Sequence, residues 1–161
     1  MRDGVELAVS ITRPDMDGKF PALMSYNPYR ALSSFKPANS DSEYSHALNA
    51  PHYFAERGYI SVNYDVRGTG SSSGSSGDMY SNAERQDGYD MIEWIARQPW
   101  SNGKVAMWGF SYAGVVALQV AAMAPPSLKA IVVGSGTDDI YSDWMYPGGM
   151  PRSSVSQVAP G

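Results

Sequence analysis

The run Val105-Ala106-Met107-Trp108-Gly109-Phe110-Ser111-Tyr112-Ala113-Gly114 constrains this chain more than any other. Lys104 to Gly109 reads as a strand, and Tyr112 to Ala124 as an almost wholly apolar helix stopped by Pro125-Pro126. Two such elements with so little between them turn sharply, and Ser111 falls at the apex. A bend of this kind crowds the backbone, so it needs small residues two before the serine and two or three after it. Gly109, Ala113 and Gly114 fill those places, with alanine where the commonest form has glycine. A serine hydroxyl is a weak nucleophile unless it stands exposed beside a base. The bend lifts it off the sheet edge, and it aims the Tyr112 amide and the positive end of the helix at one point. That makes Ser111 a candidate nucleophile and the Tyr112 amide half of a candidate oxyanion hole. A bare G-x-S-x-x-G also occurs as a glycine-rich turn with a solvated serine; the flanking strand and helix favour the elbow.

The rest of the chain supplies a frame for that bend. Val5, Leu7, Val9 and Ile11 alternate with Glu6, Ala8 and Ser10, the period of a half-buried strand. Phe20 to Tyr26 is a second strand ending at Asn27-Pro28, and the polar stretch Arg30 to Asn49 reads as a loop. Pro51 opens a short helix that Gly58 closes. Tyr59 to Asp65 is a strand, Glu84 to Gln98 a helix with Tyr89, Ile92, Ile95 and Ala96 on one face, and Lys129 to Ser135 a last strand. Strands alternating with helices predict a parallel sheet covered by helices, an α/β fold. The apolar helix after Gly109 is expected to lie deep.

The remaining chemistry is narrowed by what the sequence lacks. No cysteine is present, which removes thiolate nucleophiles and thiolate metal sites. Twelve basic residues against sixteen acidic ones give a net charge of −4, which offers no field for a nucleic-acid backbone. The longest apolar run, Val115 to Ala124 broken by Gln119, is too short to span a membrane, and no apolar signal segment opens the chain. The Gly/Ser-rich stretch Gly68 to Gly77 lacks dinucleotide spacing and a Walker lysine, so it reads as a loop. No His/Asp cluster has metal-ligand spacing, which leaves metal-dependent hydrolysis weakly supported.

Four segments together resemble the cocaine esterase-like hydrolases and Xaa-Pro dipeptidyl peptidases. They are Met1-Arg2-Asp3-Gly4-Val5, Asn27-Pro28-Tyr29, Asp65-Val66-Arg67-Gly68 and Gly109-Phe110-Ser111-Tyr112-Ala113-Gly114, with Gln98-Pro99-Trp100-Ser101-Asn102-Gly103-Lys104-Val105 in support. The resemblance implies the N-terminal part of an α/β-hydrolase, over residues 1–136, followed at 137–161 by the start of a cap or an irregular tail. It implies hydrolysis of a carboxylic ester or amide, Xaa-Pro peptides included, through an acyl-Ser111 intermediate and without a cofactor or metal. It gives Tyr29 a role as second oxyanion donor, through its hydroxyl. Read on its own, Tyr29 is an aromatic packed at a strand end, and Asp65 and Arg67 are a structural pair pinning a loop.

In this fold the acid and the histidine follow the serine along the chain. The two histidines, His46 and His52, precede Ser111. His52 reads as solvated or capping, and His46 as a loop residue. Asp138, Asp139 and Asp143 follow the serine, but they read as loop carboxylates at the start of the cap. The triad acid and base are therefore expected outside this chain. The expected partners are a small ester or peptide substrate, and a missing C-terminal half or another chain along the open edge of the last strand. Only 17% of residues are charged, in keeping with a surface that meets a partner. The chain alone is expected to be marginally stable and nearly inactive. The rival expectation is a non-catalytic interaction module on the same fold.

Overall fold

The computed structural model describes residues 1–29 and 51–152. Among the described residues, five strands form one sheet: β1 (Val9–Thr12), β2 (Phe20–Asn27), β3 (Ile60–Asp65), β4 (Ser101–Phe110) and β5 (Leu128–Gly134), in the order β1-β3-β2-β4-β5. β3, β2, β4 and β5 run parallel, and β1 pairs antiparallel with β3. β3 and much of β2 are buried runs, as expected of parallel strands covered by helices, while β4 alternates buried with more exposed residues. Two helices, α1 (Asn82–Ala96) and α2 (Tyr112–Ala121), pack on the sheet and against each other.

The core lies between these helices and the sheet. Met24, Tyr26, Val62, Tyr64, Val105 and Met107 meet Met91, Ile92, Ile95, Val116, Ala117 and Val120 there. Successive strand residues point to opposite faces, and Trp108 accordingly turns the other way, its ring edge-on to Phe54 at 5.9 Å. Phe54 belongs to a helical segment that includes residues 51–55. Gly58, at φ 78°, ends it: its amide donates to Ala55, and the Tyr59 amide to Phe54.

Some boundaries differ from the sequence expectation. The first strand begins at Val9, because Glu6 and Ala8 spend their amides on the Ser73 and Ser72 hydroxyls and not on a strand partner. Helix α1 starts at Asn82, ahead of Glu84, because Ser81 caps it by accepting from the Glu84 amide. Its buried face is Glu84, Asp87, Gly88, Met91, Ile92 and Ile95; Tyr89 is only half-buried. Helix α2 is buried along most of its length, in keeping with its apolar sequence.

The strand order creates the place for a site. From β2 the chain moves to β3 on one side and later to β4 on the other. Where a parallel sheet reverses in this way, the helices leave the carboxyl ends of the neighbouring strands in opposite directions and open a crevice between them. The carboxyl end of β2 leads to Tyr29, and that of β4 leads to Ser111.

Candidate active site

Ser111 joins β4 to α2 with φ 56° and ψ −117°, outside both helical and strand conformations. Its neighbours explain how so tight a bend closes. A Cβ on Gly109 would overlap Ala113, and one on Gly114 would lie 3.0 Å from the Gly134 carbonyl. The Ser111 amide donates to that same carbonyl at 2.9 Å, tying the bend to the end of β5. Its carbonyl accepts from the Gly114 and Val115 amides, so the backbone enters α2 at once. The Ser111 side chain caps nothing. Tyr112, as the first helical residue, has an amide with no intrahelical acceptor.

Tyr29 sits just past β2, its amide held by the Asn27 side chain at 3.0 Å. Its ring meets Tyr112 edge-on, with centroids 6.5 Å apart, and 61% of its surface is exposed. The structure therefore sets Tyr29 against Tyr112, the residue after Ser111, from a segment more than eighty positions away in the chain. Two open depressions, one around Arg13 to Gly18 and Trp100 and the other between the N-terminus and α1, lie away from them.

Behind the bend lies a layer that apolar periodicity did not mark. Tyr80, at φ 60°, stacks on Tyr112 at 4.5 Å, and its amide donates to the Tyr112 hydroxyl at 3.4 Å. That hydroxyl donates in turn to Glu84 Oε2 at 2.6 Å. Burial pushes the Glu84 carboxyl above its ordinary range, against the opposing pull of Tyr112 and the Tyr80 and Ser81 amides. Burial likewise raises the Tyr80 phenol to about 12. A signal existed for Glu84, since Ser81-x-x-Glu84 is a capping sequence; Tyr80, the residue immediately before that cap, is placed beside the bend only by the fold. Gly136 was a further omission, since a Cβ there would press on Val133 and on Gly114 of the elbow helix.

Arg67 pins the loop after β3, through partners the sequence did not indicate. Its guanidinium takes both oxygens of Asp87, at 2.6 and 2.7 Å, and also reaches Asp3. Asp65 accepts from the Ser71 amide, and a Cβ on Gly70 would overlap its carboxylate, so the Gly/Ser stretch folds back on its own strand. His52 is exposed on its helical segment, and His46 lies outside the described residues. Asp139 accepts from the Ser142 amide, Asp143 bonds to Thr137, and Asp138 is exposed. Among the described residues, no group of three or more His, Asp or Glu side chains is arranged to hold a metal ion.

Residues 3–159 match the family model described as X-Pro dipeptidyl-peptidase (S15 family). The chain belongs to this family. Within it, the chain is 36% identical over 151 residues to the cocaine esterase of a Rhodococcus species, covering 92% of this chain and 25% of that protein. A putative Xaa-Pro dipeptidyl-peptidase of Streptomyces avermitilis is 28% identical, over 90% of this chain and 25% of its own length. Among solved structures, a CocE/NonD family hydrolase from Staphylococcus aureus superposes with a TM-score of 0.79 at 33% identity, covering 95% of this chain and 29% of that one. The fold is thus that of the α/β-hydrolases. The chain spans about a quarter of the length of these relatives.

Proposed function

We propose that this chain contributes the nucleophile portion of a serine hydrolase that cleaves carboxylic esters or amides, Xaa-Pro peptides included. Ser111 attacks the carbonyl carbon and forms the acyl-enzyme, which water then cleaves. The Tyr112 amide and the Tyr29 hydroxyl donate to the oxyanion as charge develops on it. A histidine and an acid outside this chain move the proton to and from Ser111 and the leaving group. No metal or organic cofactor takes part. Residues 1–136 are the N-terminal part of the hydrolase domain, and 137–161 are the start of the cap or an irregular tail. The relatives' names, cocaine esterase and Xaa-Pro dipeptidyl-peptidase, support both ester and peptide substrates. The missing partner is a C-terminal portion, or another chain, lying along β5.

The observation that carries this reading is the backbone at Ser111, φ 56° and ψ −117°, which sets the residue between a strand and a buried helix with its side chain free of capping. A solvated serine in a loop has no need of such a conformation. The test is labelling with a fluorophosphonate, located by mass spectrometry. It uses the 161-residue chain and the same chain continued at Gly161 by the remainder of the Staphylococcus aureus relative. Adduct at Ser111 in the continued chain alone is the expected result. Labelling of neither, with both folded, would mark a non-catalytic module in place of a hydrolase.

A further inference from the structure

Tyr112 faces two ways. Its amide opens α2 beside Ser111, while its side chain runs inward between Tyr80 and Tyr29 and ends on Glu84. Glu84 is 1% exposed, and its other oxygen, Oε1, has no hydrogen-bond partner. A carboxylate at that depth is costly, and an apolar side chain of similar volume would fill the space at lower cost. At the start of α1 the Ser81 hydroxyl accepts from the Glu84 amide, and the Ser81 and Tyr80 amides act on the Glu84 carboxylate in return, so the carboxylate also serves the cap. Beyond that cap, the carboxylate supplies a short, charge-assisted acceptor for the Tyr112 hydroxyl at 2.6 Å, stronger and more directional than a neutral one.

The backbone beside that bond explains its use. A residue in a sparsely populated conformation stays there only when its surroundings hold it from several sides. From the sheet side Ser111 is held by Gly134 and by the close approach of Gly109 to Ala113. From the α1 side the polar tie is Tyr112 to Glu84, spanning 28 positions of sequence. We infer that Glu84 is a positioning residue for the oxyanion site, acting through the Tyr112 hydroxyl to hold the first turn of α2 so that the Tyr112 amide keeps its aim beside Ser111. The inference rests on the acyl-transfer reading of Ser111 and names a residue that never touches the substrate.

Two measurements test the tie and the reading separately. The first is amide hydrogen exchange in the 161-residue chain, comparing wild type with Glu84→Gln, Glu84→Leu, Tyr112→Phe and the Glu84→Leu/Tyr112→Phe double variant. Ser111 and Val115 report the bend, through their bonds to Gly134 and Ser111, and Ile92 and Met107 report the core. Each removal of one partner should speed exchange at Ser111 and Val115 by about tenfold with the core reporters unchanged, because local opening is what exchange reads. The double variant should be no faster than the faster single one, since it leaves neither partner stranded. Glu84→Gln preserves shape and keeps the test sound if the leucine variant fails to fold.

The second measurement is ester hydrolysis by the continued chain, with p-nitrophenyl acetate. Glu84→Gln and Tyr112→Phe should each lower kcat about tenfold with KM within about twofold, a fraction of the 10²–10³ lost when an oxyanion donor is removed outright. A rise in KM at unchanged kcat, or bend amides that keep wild-type protection in every variant, overturns the positioning role. Wild-type continued chain that never labels at Ser111 overturns the acyl-transfer reading instead, whatever the exchange rates show.

Discussion

At the scale of single residues, the chain concentrates strain where its chemistry is proposed. Ser111 holds φ 56° and ψ −117°, a conformation that costs an L-residue on the order of 1–3 kcal/mol. Glycine enters such regions without a Cβ penalty but loses more entropy on folding. Ser111→Gly is therefore expected to stabilise the chain by about 1 kcal/mol, the strain relieved outweighing the entropy lost. Urea denaturation against Ser111→Ala makes the comparison clean, because alanine removes the hydroxyl but keeps the Cβ and the strain. Equal midpoints for the glycine and alanine variants would mean that no strain is stored there. Stability gained by deleting a proposed nucleophile is the mark of a site built at the expense of the fold.

At the scale of elements, the sequence was legible wherever the physics is local. The bend around Ser111 is marked locally by the close approach of Gly109 to Ala113, so Gly109, Ala113 and Gly114 declared it, while its tie to the Gly134 carbonyl at the end of β5 lay outside any local window. The helix α2 declared its depth because it is apolar on nearly every side. Where burial is polar, the reading failed. Apolar periodicity in α1 pointed to Tyr89, while the face that is buried begins with Glu84 and Asp87, two carboxylates whose partners lie elsewhere in the chain. Likewise the alternation at Val5 to Ile11 does not carry through: the Ser72 and Ser73 hydroxyls claim the amides of its first half, and Ile11 is exposed while Ser10 is half-buried. Long-range polar pairing decides such cases, and no window of sequence contains it. The same pairing sets an energy. Arg67 is 12% exposed and Asp87 1%, and their two-pronged bond joins the loop after β3 to α1. Asp87→Ala strands a largely buried guanidinium and should cost about 2 kcal/mol, below the full range for a buried pair because Asp3 still reaches Arg67. Asp3→Ala, whose carboxylate stands in water, should cost much less. Equal losses for the two variants in a denaturant titration would show that burial does not set the strength of this network.

At the scale of the whole molecule, the sheet has two unlike borders among the described residues. On one side stands β1, four residues long and antiparallel; on the other stands β5, seven residues long and parallel to β4. Past Lys129 the β5 strand runs Ala-Ile-Val-Val-Gly without a charge, and Val132 is 67% exposed. An edge that is apolar and, past its first residues, uncharged invites another strand, and natural edges are protected by lysine, proline or cover. The proposed partner along β5 would provide that cover, and without it the 161-residue chain should associate with itself as its concentration rises. Val132→Lys places a charge in the middle of the edge and should shift the chain toward monomer, by roughly tenfold in the concentration at which association sets in, if the charge costs about 1.4 kcal/mol per contact. Sedimentation velocity over a concentration series reads the difference directly. In the continued chain the same substitution should act in the opposite sense, lowering the unfolding midpoint, because the lysine would then be forced against a covering element. Association that ignores the charge, or a continued chain as stable with lysine as with valine, would mean that β5 is not where this fold meets its missing part.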